Sequence, residues 1–322
     1  MIRIKESNKK FPYKIESWLQ IPDANGNTGI QYLDIYSVYF VHSGNVDFGL
    51  AWNGEAVKNI PKEKCILFRS EPPIYNIFYG WNNCNPKYIK KFHNVLSIYK
   101  YGDYPQVSFL YPDVPSLFKY IDTHFDLPKE EMLCTVLKNK STTIFLNSLI
   151  PKLKHFNNYS NMKMRVDVDK IFCDILAHNN YHSYGRGWDS RCFKGKIEGG
   201  ISEEHIMMML ANHKFNFCPE NSCFPGFVTE KPMRAMCCGS IPIYLGAPDV
   251  DNYLPEGTYI DLRKFSDPQE LVTFLKELEE PEIEWYRDNI RKFITSKKVN
   301  DLFSSVTFAK KLIKCMEGKY DL

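Results

Sequence analysis

Thr229, Glu230 and Lys231 close a polar stretch, CPENSCFPGFVTEKP (218–232), that joins an apolar run to a helix-like run. Threonine is a favoured helix N-cap because its hydroxyl can accept a first-turn N–H. Pro232 is tolerated in that first turn, where no intrahelical donor is lost. A helix started here turns its free N–H groups and partial positive charge toward the loop, which suits a diphosphate. Lys231 adds a full charge, and Glu230 offers two acceptors for a ribose diol. Asn221 can donate and accept, as sugar hydroxyls require, and Gly226 permits a sharp turn. Taken alone, the triplet also reads as an ordinary capped helix after an irregular loop.

Three further residues could do chemistry. Glu71 follows the strand-like CILFR and precedes two prolines, so a carboxylate stands at a strand end in a stiff loop. Such a group can take a proton from a hydroxyl, or it can be a solvated loop residue. Arg165 stands near a helix start and could pair two phosphate oxygens at once; Arg186, in YGRG, is a second arginine of this kind. Asp167/Asp169 and Asp249/Asp251 both spell Asp-x-Asp, yet the first pair falls in a helical pattern, where i and i+2 face apart. His178 and His182 have no third partner in view, so no metal site is expected. Gly185-Arg186-Gly187 lacks the remainder of a dinucleotide fingerprint. Trp52, Tyr75, Tyr79 and Trp81 could stack on a sugar, or serve as core.

These side chains need a scaffold, and the alternation of elements supplies an expectation. The β-rich runs 30–40, 65–70, 94–100 and 106–112 suggest strands up to about residue 145. Beyond them come helices over 166–180 and 203–213, strand 214–218, helix 229–238, strands 241–246 and 258–262, and helix 267–278. Strands alternating with helices imply parallel sheets, whose ligands bind at the strands' carboxyl ends. The expected fold class is α/β. The division is an N-terminal domain over 1–145, a second over 146–290, and closing helices over 291–322.

The chain has 322 residues, 44% of them hydrophobic, enough for two cores. A net charge of +3, from 41 basic and 38 acidic residues, argues against nucleic-acid binding. The N-terminus lacks a signal peptide's apolar core, and no uncharged apolar run approaches the ~18 residues of a membrane span. A cytoplasmic location is expected, or the soluble part of something longer. Ten cysteines at scattered spacings, without a CxxC pair, read as free thiols.

The run KFNFCPENSCFPGFVTEKPMRAMCCGSIPIYLGAPDVDNYLPEGTYIDL resembles the signature of the α1,3-fucosyltransferase family: ENS, then G-Y-V-T-E-K, a helix, (I/V)P(I/V)-x-x-G and a P-x-V segment. Roughly fifty consecutive residues fit in order, far more than a short motif. The resemblance implies a GT-B-type fold, two Rossmann-like domains with parallel sheets facing across a cleft. It implies transfer of fucose from GDP-fucose, with inversion, to a hydroxyl of an oligosaccharide or glycan acceptor. It implies no required cofactor, with a divalent metal at most stimulatory. Carried over residue by residue, Glu220, Asn221, Ser222, Phe227, Val228, Thr229, Glu230 and Lys231 form the donor site with Arg165 and Arg186. Within it Asn221 faces the fucose, Glu230 the ribose and Lys231 the phosphates, while Glu71 is the catalytic base. Two positions depart from the pattern: Pro219 replaces the usual Phe, and Phe227 replaces a Tyr.

Overall fold

Strands buried on both faces read as continuous apolar runs, and their parallel neighbours need crossovers long enough for helices. The computed structural model describes residues 5–6, 15–33, 40–43, 65–69, 72, 89–90, 92, 94–102, 104–137, 160–185, 187–195 and 202–319. Two parallel sheets organise them. The first has five strands in the order β1 (Lys5–Glu6), β2 (Phe40–Ser43), β3 (Cys65–Arg69), β4 (Asn94–Ser97) and β5 (Gln106–Ser108). The second has six: β6 (Glu131–Val136), β7 (Tyr181–Tyr184), β8 (Phe193–Gly195), β9 (His213–Phe217), β10 (Ile241–Tyr244) and β11 (Ile260–Asp261). Its spatial order, β11-β10-β9-β6-β7-β8, is the doubly wound 3-2-1-4-5-6 arrangement read from the other edge.

The helices are α1 (Ile15–Leu19), α2 (Ile30–Leu33), α3 (Ile121–His124), α4 (Met162–Asn180), α5 (Glu203–Ala211), α6 (Lys231–Cys237), α7 (Pro268–Glu277), α8 (Glu280–Ile294), α9 (Lys297–Phe303) and α10 (Ser305–Met316). Helix α4 crosses from β6 to β7, α5 from β8 to β9, and α6 from β9 to β10. Several starts are written in the sequence. Asp267 accepts the Gln269 and Glu270 N–H groups ahead of α7, and Ser304 accepts that of Thr307 ahead of α10. Helix α6 ends at Gly239, whose φ of +68° few other residues adopt, and where a Cβ would lie 2.3 Å from the Phe125 carbonyl oxygen.

Two expectations are corrected. The second sheet begins at β6, ahead of the expected boundary at 145; EMLCTV does not alternate and follows a charged cluster, yet it becomes a central strand between β9 and β7. Residues 30–33, read as strand, form helix α2, which is drawn against α10 through the Gly29 N–H donated to Ser305 Oγ at 3.1 Å.

The C-terminal helices do more than close the second domain. Phe308, Ala309 and Leu312 of α10 are buried among Trp18, Phe68 and Phe109 in the core of the first sheet. Phe308 meets Trp18 edge-on at 5.6 Å and Phe109 at 5.2 Å, while Phe68 stacks on Phe109 at 5.2 Å. Truncating Phe308, 1% exposed, to alanine should cost about 3–5 kcal/mol of unfolding free energy in a urea titration. A loss under 1 kcal/mol contradicts its placement in that core.

Candidate active site

In a doubly wound sheet ligands bind where the strand order reverses, outside the carboxyl ends of the two strands there. Here those strands are β6 and β9. The segment that leaves β9 is CPENSCFPGFVTEKP, so the chemistry-bearing stretch falls at the switch point. Its first residues continue the pairing with β10: Cys218 N–H donates to Ile243 O at 3.0 Å, and Glu220 N–H to Leu245 O at 2.7 Å. Pro219 lies between them, where the missing donor costs no bond to β10. Helix α4 is tied to the same segment. Ser160 and Ser222 form an antiparallel bridge, and Asn161 N–H donates to Asn221 O at 3.2 Å.

Phe224-Pro225-Gly226-Phe227 then makes a tight reversal. The Phe227 N–H returns to Phe224 O at 3.1 Å and Gly226 has φ +78°, the positive angle that a type II turn requires after proline. The turn is held from both sides: Gly226 N–H donates to Asp249 Oδ1 at 2.8 Å, and Lys100 N–H donates to Pro225 O at 2.8 Å. Phe224 and Phe227 are buried in the first sheet's core, with Phe224 5.2 Å from the Tyr99 ring. The family's tyrosine position is therefore occupied by an anchor to the other sheet.

Past the turn the polar residues converge. Glu220, fully buried, accepts from Thr229 N–H at 2.8 Å, from the Thr229 hydroxyl at 2.8 and 3.0 Å, and from Lys231 Nζ at 2.6 Å. Burial pushes its carboxyl above the ordinary range, and the Lys231 charge pulls against that. Lys231 Nζ also donates to Thr229 Oγ1 at 2.8 Å. Arg165, 2% exposed, donates from Nη1 to Asn221 Oδ1 at 2.7 Å and lies 5.7 Å from the Trp188 ring. Burial lowers its pKa to about 10, with Glu220 opposing, so it stays charged at neutral pH. Guanidinium cannot accept, so Asn221 uses its acceptor on Arg165 and keeps its amide N–H groups for other partners.

Beside this network Glu230 accepts from Arg234 Nη1 at 2.9 Å, and Arg234 grips Glu203 through Nε at 2.6 Å and Nη2 at 2.9 Å. Burial pushes the Glu230 carboxyl up, but Arg234 and Lys231 outweigh it and leave the pKa lowered. Asp113, on the crossover from β5, faces the same group. Its Oδ1 is buried without a hydrogen-bond partner among the described residues. Burial, then the Glu230 charge, raise its pKa to about 7.

The structure thus joins Glu220, Thr229 and Lys231 in one group and Arg165 and Asn221 in a second, with Glu230 alongside. Ser222, Phe227 and Val228 are buried, with relative exposures of 0–1%, Phe227 in the first sheet's core and Val228 in the second's. Glu71, Arg186 and the aromatic residues Trp52, Tyr75, Tyr79 and Trp81 lie outside the described residues. Helix α6 begins at Lys231 with Glu230 as its N-cap, one residue past Thr229, whose hydroxyl donates to Glu220 and accepts the Lys231 N–H at 3.5 Å. Helix α6 has only seven residues, so the lysine outweighs the helix end as a source of positive charge.

Sequence reasoning missed Asp113, the Glu203–Arg234 pair and Arg69. Arg69 is fully buried at the end of β3. It donates to Ser97 Oγ at 3.1 Å, Gln106 Oε1 at 2.6 Å and the Tyr104 hydroxyl, tying together the ends of β3, β4 and β5 two residues before Glu71. A long cation inside a strand-like apolar run was the available signal.

Paired parallel sheets, one doubly wound with its polar loop at the switch point, define a GT-B glycosyltransferase fold. A crystal structure of an alpha1,3-fucosyltransferase shares it, with a TM-score of 0.56 over 98% of this chain and 89% of that one at 13% identity. Residues 152–303 match the family model described as Glycosyltransferase family 10 (fucosyltransferase) C-term. It is 26% identical over 181 residues to GDP-fucose protein O-fucosyltransferase 3 of Xenopus tropicalis, covering 53% of this chain and 37% of that protein. It is 34% identical over 121 residues to Alpha-(1,4)-fucosyltransferase of Arabidopsis thaliana, covering 34% and 29%. The chain spans about a third of the length of these curated relatives.

Two predictions follow from the charge arrangement. Lys231→Met leaves the Glu220 carboxylate buried without its countercharge and should cost about 3–5 kcal/mol of stability. The double variant E220Q/K231M should recover most of that loss in denaturant titrations; equal destabilisation of the two proteins refutes the pairing. For Asp113, a raised pKa means that the folded state holds a proton the unfolded state has lost. Stability therefore falls as pH rises from about 4 to about 7. Asp113→Asn removes this penalty, so its melting temperature should exceed the wild type's at pH 8 and approach it at pH 4, as calorimetry at the two values will show.

Proposed function

We propose that the protein transfers fucose from GDP-fucose to a hydroxyl of a saccharide acceptor, with inversion and in α1,3 linkage. The observation that carries this reading is the Glu220–Thr229–Lys231 network at the switch point of a family 10 domain. Lys231 supplies positive charge at the loop where a donor diphosphate would enter, and Glu230 offers its carboxylate to the ribose. Asn221, its oxygen held by Arg165, directs N–H groups toward the sugar.

In the proposed reaction Glu71 takes the proton of the attacking hydroxyl as its oxygen bonds to the anomeric carbon, on the face opposite the nucleotide. The bond from that carbon to the diphosphate oxygen breaks, and GDP leaves with the electron pair. Positive charge grows on the sugar ring and negative charge on the departing phosphate. Lys231 meets the latter directly, and Arg165 acts through Asn221 and through its field. Prearranged groups of this kind are worth about 3 kcal/mol each when removed singly. With two cations in place we assign no required metal; a divalent ion at most stimulates.

The relatives' names cover a protein O-linkage and a 1,4-linkage, so linkage and acceptor are the parts to measure. Calorimetry should show GDP binding at least tenfold tighter than UDP. Incubation with GDP-fucose and galactose, N-acetylglucosamine and glucose acceptors should yield a fucosylated product, with NMR locating an α1,3 bond. Glu71→Gln should lower kcat by about 10²–10⁴-fold and leave GDP affinity intact. Preference for UDP overturns the donor, a product on protein alone overturns the acceptor class, and full activity of E71Q overturns the base.

A further inference from the structure

Where the carboxyl ends of the two sheets meet, a cavity of about 400 Å3 lies outside the Glu220–Lys231 network. One wall is Ser108, the last residue of β5, together with Lys100, just beyond β4. A second is Gly226, at the tip of the interdomain turn, and Tyr253 from the segment after β10. The third is the returning pair α9–α10, which contributes Asp301, Leu302, Phe308 and Lys311. Both sheets and the C-terminal helices are needed to enclose it.

We propose that this cavity is a saccharide subsite that holds a non-reacting ring of an oligosaccharide acceptor. The inference rests on reading the cleft as a glycosyl-transfer site and extends it to a place that reading does not use. Position argues first. Neighbouring strands are about 4.8 Å apart, and β5 lies two strands from β3, so the cavity is displaced about 10 Å sideways from the strand end that leads to Glu71. A ring bound there is not the one that attacks, but it belongs to the same chain of sugars.

Chemistry argues second. Ligand sites are mostly apolar with a few placed polar groups, and here aromatic and aliphatic side chains share the lining with hydroxyls, ammonium groups and a carboxylate. A pyranose presents a matching surface, an apolar face of C–H groups and a rim of hydroxyls that both donate and accept. A nucleobase is the competing occupant, and none of Asn221, Thr229, Glu230 and Lys231 borders the cavity.

The test uses the full chain without donor. Saturation-transfer NMR with lactose and N-acetyllactosamine should show binding to the wild type, loss of it in Ser108→Trp, and at least fivefold weaker binding in Asp301→Asn. GDP affinity by calorimetry should change less than twofold in both variants. If Ser108→Trp does not fold, Leu302→Trp fills the opposite wall. Undiminished disaccharide binding in a folded, filled variant overturns the subsite, as does its absence in the wild type. Loss of GDP binding on filling assigns the cavity to the nucleotide and overturns it too. A wild type that binds disaccharide but not GDP refutes the donor reading while the subsite stands.

Discussion

A carboxylate with no exposure to solvent, Glu220, fixes the geometry of everything around it. Removing such a group from water costs several kcal/mol unless charge and hydrogen bonds are returned to it. The returns come from Thr229 and Lys231, nine and eleven residues on, so the chain between must fold back on itself. Closing that loop places the turn at Gly226, sets the start of α6 at Lys231, and brings Asn221 beside Arg165. An apolar residue at position 220 could fill the space, yet it could not fix the direction of an ammonium group. The pair thus trades stability for orientation, at the point in the sheet where orientation serves binding.

The same loop belongs to two cores. Its polar residues are bonded to the second sheet and to α4, while Phe224 and Phe227 are packed into the first. Lys100 and Asp249 hold the turn from opposite sides, one from each sheet's loops. Aromatic burial and the buried ion pair therefore act at either end of one short segment. A ligand that draws Lys231 toward itself pulls on a segment anchored in the opposite sheet.

Legibility in the sequence followed the range of the forces. Strands β3, β4, β5, β9 and β10, helices α4 to α7, and the loop itself were readable because apolar periodicity, caps and glycine are local signals. Strand β6 was missed because a central strand buried by its neighbours need not alternate, and α2 because Ser305, far along the chain, draws that segment into place. The residues that meet at Glu220 could be named, but their roles could not. Thr229 looked like a cap and Glu220 like a ligand, since only the fold shows that one is the other's partner. Asp113 and Arg69 carried no motif; their significance is burial, which depends on contacts distant in sequence.

The first sheet's core includes Trp18 at one extreme and Phe308, Leu312 and Met316 at the other. The first sheet has all its strands once Ser108 has emerged, yet its core lacks part of its packing until α10 has been synthesised, later even than the second core, which draws on residues up to Phe303. Early synthesis therefore gives the first half no early completion of its core. Closing so long a loop is slow, and during that interval the aromatic face of β3 to β5 lacks its cover. The nascent chain is most in need of protection from self-association at its beginning, for as long as its last helix is missing.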